Sequence, residues 1–202
     1  MNLPNKITLS RICMIPVFVA VFYCGYLSEW CFLASAGVFL LAALTDALDG
    51  HIARSRNLVT NLGKFLDPIA DKVLVSTAFI VMLTIPTAFS VYPFGEYGVM
   101  AAGICIALIL ARELIVSGFR IIAAGRNLVL AADKLGKIKT TLQDVAIAFL
   151  LVSMSFVTKT GDMKTAGEII AYIGLVCFVL CTILTVVSGV NYLIKNKEVL
   201  KG

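Results

Sequence analysis

The sequence predicts an all-α integral membrane protein with six transmembrane helices, and three observations carry that prediction. First, 60% of the 202 residues are hydrophobic and 14% charged, and the mean hydropathy is +0.98, which suits a bilayer better than water. Second, the apolar residues fall into six runs, 12–27, 31–54, 62–85, 97–122, 138–158 and 166–193, matched to a hydrocarbon layer about 30 Å thick. Third, the basic residues are sided. With six spans both termini share a side, which collects Lys6, Arg11, Arg54, Arg56, Lys64, Arg120, Arg126, Lys134, Lys137, Lys139, Lys195, Lys197 and Lys201, whereas the opposite loops hold Lys159 and Lys164. The excess of positive charge places both termini in the cytoplasm. No segment between the runs is long enough for a second domain, so residues 1–202 read as one membrane domain.

Residues 2–11 are too short and polar to span. Leu3 and Ile7 lie on one side, Asn5, Thr8 and Arg11 at a spacing of three on another, which predicts a short amphipathic helix at the cytoplasmic interface. The first apolar run follows basic residues as a signal peptide would, but no secreted domain follows, so an uncleaved span is expected. Tyr26 and Trp30 then fall where an outer aromatic belt belongs.

The second and third runs carry four carboxylates. Asp46 and Asp49 are i, i+3 and Asp67 and Asp71 are i, i+4, so each pair projects from one helical face. Unpaired, each would cost about 2.5–3.5 kcal/mol at a bilayer centre. Two facing pairs of hard oxygen donors without accompanying His or Cys suit Mg²⁺ or Mn²⁺ better than Zn²⁺. Gly50 and Ala53 share the face of the first pair and Gly63 that of the second, leaving room for a bulky ligand, while Arg54 offers a planar fork of donors to a phosphate. At about 1.5 Å per residue both pairs lie roughly 6–12 Å inside the cytoplasmic ends of their helices. His51 points away from that face and reads as a surface or packing residue. Pro68 is expected in the first turns of the third helix, where a missing N–H costs little. Lys72 could pair with a carboxylate or a phosphate.

In the fourth run Arg112 lies about 12 Å deeper than Arg120, level with the carboxylates. It could pair with Glu113 or Asp144, or form an anion site beside the metals. The loop that follows leads into Gly136, Lys137, Lys139 and Thr140 at a helix start, a phosphate site or a set of snorkelling lysines. The sixth run has Gly167, Gly174 and Gly189 but no G-x-x-x-G, and reads as a structural span. The six cysteines, Cys13, Cys24, Cys31, Cys105, Cys177 and Cys181, form no C-x-x-C pair and read as buried small hydrophobes.

The pattern D-x2-D-G-x2-A-R-x8-G-x3-D-x3-D, formed by Asp46, Asp49, Gly50, Ala53, Arg54, Gly63, Asp67 and Asp71, resembles the signature of the CDP-alcohol phosphatidyltransferase family of membrane enzymes. That resemblance implies two divalent cations held by Asp46, Asp49, Asp67 and Asp71, with Asp71 also the base that activates the acceptor hydroxyl. It implies a CDP-diacylglycerol pocket shaped by Gly50, Ala53, Arg54 and Gly63. The opening P-N-x-x-T-x-x-R stretch, with Asn5 and Thr8, and the A-R-E and G-K-I-K-T stretches are similar to the branch that uses glycerol 3-phosphate as acceptor. They imply that Asn5 and Thr8 cover the nucleotide and that Arg112, Arg120, Lys137 and Lys139 hold the acceptor's phosphate. The family is typically homodimeric. Two alternatives remain at this stage: a member with inositol phosphate, serine or phosphatidylglycerol as acceptor, and a transporter using the Asp cluster for coupling. The basic side needs no nucleic acid partner, since anionic headgroups and phosphorylated substrates account for it.

Overall fold

The computed structural model describes the backbone over residues 3–55, 61–91, 95–125 and 134–195, and side chains over 9–45, 69–91, 95–120, 123 and 136–195. Among the described residues the regular secondary structure is all helical, with α1 Leu3–Tyr23, α2 Trp30–Ser55, α3 Asn61–Thr84, α4 Gly95–Gly125, α5 Lys134–Met154 and α6 Asp162–Lys195. Three stretches, Leu9–Tyr26, Gly95–Arg120 and Asp162–Lys195, are long and apolar enough to cross a membrane. The outward faces are apolar: Leu33, Leu40, Leu41 and Leu44 on α2, Ile104 and Leu108 on α4, and Ile173, Val176, Ile183 and Val187 on α6 are all exposed. A surface of that kind belongs in lipid and would associate in water.

The amphipathic start is not a separate helix, because α1 runs unbroken from Leu3 to Tyr23. Residues 3–11 contain no glycine, and Pro4, their one proline, occupies the second position of α1, where its missing N–H would lack an intrahelical partner anyway. Pro68, expected in the first turns of the third helix, is the eighth residue of α3, beyond the first turn, where a missing N–H is free of cost. The fifth helix begins at Lys134 and ends at Met154, earlier than the run 138–158 suggested. Beyond Met154 the chain tightens into turns, with Ser155 N donating to Val152 O and Phe156 N to Ser153 O.

In lipid, the hydrophobic effect does not draw helices together, and close van der Waals packing must do so. The α5–α6 interface meets that need with small residues at every seventh position of α6: Gly167, Gly174, Cys181 and Ser188 are buried, as are Ala171, Phe178, Thr185 and Tyr192 four residues after each. This is the seam of a left-handed antiparallel helix pair. Gly167 meets Phe156 and Val157, Gly174 meets Leu150, and Cys181 meets Gln143. The seam's hydroxyls are satisfied within the helix, Thr182 donating to Phe178 O and Thr185 to Cys181 O, so they cost little in an apolar interior. On the other side of the bundle α1 and α2 cross through rings, Phe18 against Phe39 and Phe22 against Phe32.

Two loops are joined at the end opposite the candidate site. Glu29 accepts from Lys159, whose ammonium lies 5.6 Å from the Trp30 ring centroid, and Ser155 Oγ donates to Glu29 O at 2.9 Å. The hydrogen bond from Lys159, and secondarily that from Thr158, holds the Glu29 carboxyl below its ordinary pKa.

Two outcomes are expected. A Cβ at Gly167 would lie 2.6 Å from Val157 N, so Gly167→Ala must shift backbone; it should destabilise by about 1–3 kcal/mol, measured by thermal unfolding in detergent. Because the Glu29 pKa is depressed on folding, its contribution is complete above the unfolded pKa and disappears as pH falls through the folded value. Lys159→Met should therefore lower the unfolding midpoint at pH 7 and leave a shallower acid limb than wild type; parallel pH–stability curves would contradict the assignment.

Candidate active site

The polar side chains that would be costly in lipid converge where α3, α4, α5 and α6 meet. A cavity of about 300 Å³ is lined by Asp71 and Lys72 of α3, Arg112, Glu113, Ser117 and Arg120 of α4, Lys137 and Thr140 of α5, and Tyr192 of α6. Asp71, Lys72, Glu113 and Thr140 also border a smaller cavity beside it, together with Lys139, Gln143 and Asp144. The sequence argument set Arg112 at the depth of Asp71, and the two side chains line the same space.

Glu113 is the hub. Lys139, 1% exposed, donates to Glu113 Oε1; Arg112 Nη1 lies 3.5 Å from the same oxygen, and Lys72 Nζ 3.9 Å from Oε2. Lys72 also donates to Ser117 Oγ, which in turn donates to the Glu113 carbonyl oxygen at 2.5 Å. Arg112 Nη2 donates to Ser188 Oγ at 3.1 Å, so the guanidinium is held at both ends. Its stem crosses α6 at Gly189, where a Cβ would lie 2.9 Å from Arg112 Cγ. Arg120 rests its guanidinium 6.0 Å from the Tyr192 ring centroid, within reach of a cation–π contact.

Of the four basic residues singled out in the sequence, Arg112, Arg120 and Lys137 line the larger cavity. Lys139 lies behind them, bordering the smaller one and bonded to Glu113. Arg112 does pair with Glu113, and its side chain lines the cavity as well. Lys72, left open by the sequence, joins the same cluster. The role of Glu113 as a shared partner and the presence of Tyr192 were not anticipated. For Tyr192 the signal was the seven-residue spacing on α6, which marks it as inward-facing.

Asp46, Asp49, Gly50, Ala53 and Arg54 fall in the last turns of α2, and Gly63 and Asp67 in the first turns of α3. Their side chains, like those of Asn5 and Thr8 in α1, lie outside the described residues. Among the described residues no group of three potential metal ligands is present. The helical backbone nonetheless keeps Asp46 and Asp49, and Asp67 and Asp71, one turn apart. Hard oxygen donors at that spacing fit a divalent cation.

Comparison with known proteins agrees with this arrangement. Residues 1–187 match the family model described as CDP-alcohol phosphatidyltransferase. The chain is 38% identical over 213 residues to the CDP-diacylglycerol–glycerol-3-phosphate 3-phosphatidyltransferase of Bacillus subtilis (strain 168), covering 99% of this chain and 97% of that protein. It is 38% identical to the protein of the same name from Rickettsia bellii (strain RML369-C), covering 95% and 93%. It is also 34% identical to a cardiolipin synthase (CMP-forming) of Oryza sativa subsp. japonica, covering 86% of this chain and 53% of that protein.

The contact between Gly189 and Arg112 gives a direct test of the cavity as an anion site. Gly189→Ala should displace the arginine and weaken phosphate binding by about 1–2 kcal/mol, or roughly 5- to 30-fold. Titration of the detergent-solubilised protein with inorganic phosphate measures it, and unchanged affinity would remove Arg112 from the site.

Proposed function

Because the chain belongs to the CDP-alcohol phosphatidyltransferase family, we propose that it transfers the phosphatidyl group of CDP-diacylglycerol to glycerol 3-phosphate, giving phosphatidylglycerophosphate and CMP in phospholipid synthesis. The observation that carries the reading is a single cavity in which Asp71 stands with Arg112, Arg120 and Lys137. An acid–base group and a set of fixed cations are what a phosphorylated alcohol acceptor requires. Near full-length likeness to two proteins named for this acceptor supports the choice over serine, inositol phosphate or phosphatidylglycerol. The rice relative, named for another product, matches over about half its own length.

In this reading Arg112, Arg120 and Lys137 bind the phosphate of glycerol 3-phosphate, with Lys139 supporting them from behind. They orient the acceptor hydroxyl toward Asp71, which takes its proton as the oxygen attacks the phosphorus bearing the diacylglycerol. The bond from that phosphorus to the CMP oxygen breaks, and CMP leaves. Gly50, Ala53, Arg54 and Gly63 shape the CDP-diacylglycerol pocket, and Asn5 and Thr8 cover the nucleotide. Asp46, Asp49, Asp67 and Asp71 would hold two divalent cations, Mg²⁺ or Mn²⁺, which when bound offset charge on the pyrophosphate.

All six helices serve as spans. The three not counted by apolarity alone are 26, 24 and 21 residues long, about 39, 36 and 32 Å at 1.5 Å per residue, and polar residues of α3 and α5 line the cavities. The positive-inside bias sets both termini and the cavity on the cytoplasmic face of the cell membrane. There the headgroup reacts while the acyl chains stay in the bilayer. The resemblance also supports a homodimer.

The test is CMP release by the purified protein, given CDP-diacylglycerol, Mg²⁺ and one acceptor at a time. Release is expected with glycerol 3-phosphate and not with serine, inositol phosphate or phosphatidylglycerol, and is abolished by chelator. Asp71→Asn should lower kcat by at least about 10²-fold. Release with a different acceptor would overturn the role of the basic cluster, and none with any would favour the transporter.

A further inference from the structure

A carboxylate among the cations of a phosphate site is at first sight misplaced, since it opposes the anion the site must bind. We propose that Glu113 is a positioning residue for the acceptor phosphate: it gathers Arg112, Lys72 and Lys139 from three helices and holds them in register. The inference rests on the reading of this cavity as the acceptor site.

Three features point to it. Lys139 is 1% exposed and bonded to Glu113 Oε1, so one unit of charge on the carboxylate is matched by a cation that solvent does not reach. A buried pair of this kind is hard to break and makes a rigid anchor. Arg112 and Lys72 then approach the same carboxylate from the cavity side at 3.5 and 3.9 Å. Those separations exceed the 2.7–2.9 Å of a charge-assisted hydrogen bond, so the two cations are attracted and aligned without their donors being saturated. Finally, each is tied at a second point, Arg112 to Ser188 and Lys72 to Ser117, and Ser117 is itself bonded to the Glu113 backbone. The cluster is held together by contacts within the protein. An incoming phosphate completes the coordination of Arg112 and Lys72 instead of having to draw two mutually repelling cations together, which is preorganisation in the usual sense.

Glu113 does not act as a base in this scheme. It touches neither substrate, and its effect reaches the acceptor through Arg112 and Lys72.

The distinguishing measurement is a double-mutant cycle on the KM for glycerol 3-phosphate, using Glu113→Gln, Arg112→Lys and the pair together. Each single variant is expected to raise that KM roughly tenfold, with the KM for CDP-diacylglycerol and kcat at saturating acceptor within about threefold of wild type. If Glu113 works through Arg112, the double variant stays below about 30-fold, where independent effects would multiply to about 100-fold. Multiplicative effects, an equal rise in both KM values, or a loss confined to kcat would each overturn the proposal. Should Glu113→Gln fail to fold, Glu113→Asp, which keeps the charge but withdraws it by one methylene, is carried through the same cycle with the same criteria. The wild-type arm stands apart: failure of wild type to use glycerol 3-phosphate sinks the acceptor assignment itself, whatever the variants do.

Discussion

Charge inside a lipid-facing bundle has to be matched by charge or hydrogen bonds within the protein, because bulk water is not at hand. The polar half of this structure follows from that constraint. Arg11, Lys139 and Gln143 are buried, while leucines, isoleucines and valines cover the outside, the reverse of a protein in water. An arginine, two lysines and a glutamate on α3, α4 and α5 can occupy one small volume only because each has a specified partner, and Glu113 is the partner they share. The site is therefore also a helix-joining element. The ionic contacts that prepare the cavity fix α3, α4 and α5 at that level.

The sixth helix answers the complementary problem of holding helices together where burial of apolar area gives no net drive. Its seven-residue series of Gly167, Gly174, Cys181 and Ser188 lets α5 approach closely along its length. Gly189 stands outside that series, on the side that meets α4, and leaves the space through which the Arg112 stem passes. With Ser188 accepting from Arg112 at 3.1 Å, and Tyr192 beneath Arg120, α6 forms one side of the cavity. It is more than the structural span that its composition suggested.

Sequence reasoning reached furthest where chemistry and periodicity coincided. The spacing of the carboxylates, the depth of Arg112 relative to Asp71 and the basic start of the fifth helix were all legible, because helical rise converts residue number into depth. The six helices were found with ends displaced by up to four residues, apart from the start of α1, which lies nine residues earlier than the first apolar run. What it missed depends on partners distant in the chain. Lys139 alternates with Lys137, and in a helix a step of two turns a side chain by about 200°, so that Lys137 lines the larger cavity while Lys139 borders the smaller one, bonded to Glu113. The unbroken α1 was hidden by a switch in polarity at residue 12, which marks a change of surroundings and not a change of backbone.

On the proposed reading, a division of labour around α3 lets two anionic substrates react side by side. Asp71 and Lys72 are neighbours in sequence, about 100° apart around the helix. Lys72 is directed to Ser117 and Glu113 of α4, joining the cation cluster, while Asp71 borders both the larger and the smaller cavity. The other carboxylates of the motif lie on α2 and nearer the start of α3, in the direction proposed for the pyrophosphate. The acceptor cations come from α4 and α5. On the proposed reading each substrate has its own source of positive charge, and α3 lies between them with the proton acceptor. Two phosphates that would repel each other in water can then be brought to bonding distance without either giving up its counter-charge, which is the main electrostatic obstacle to the transfer.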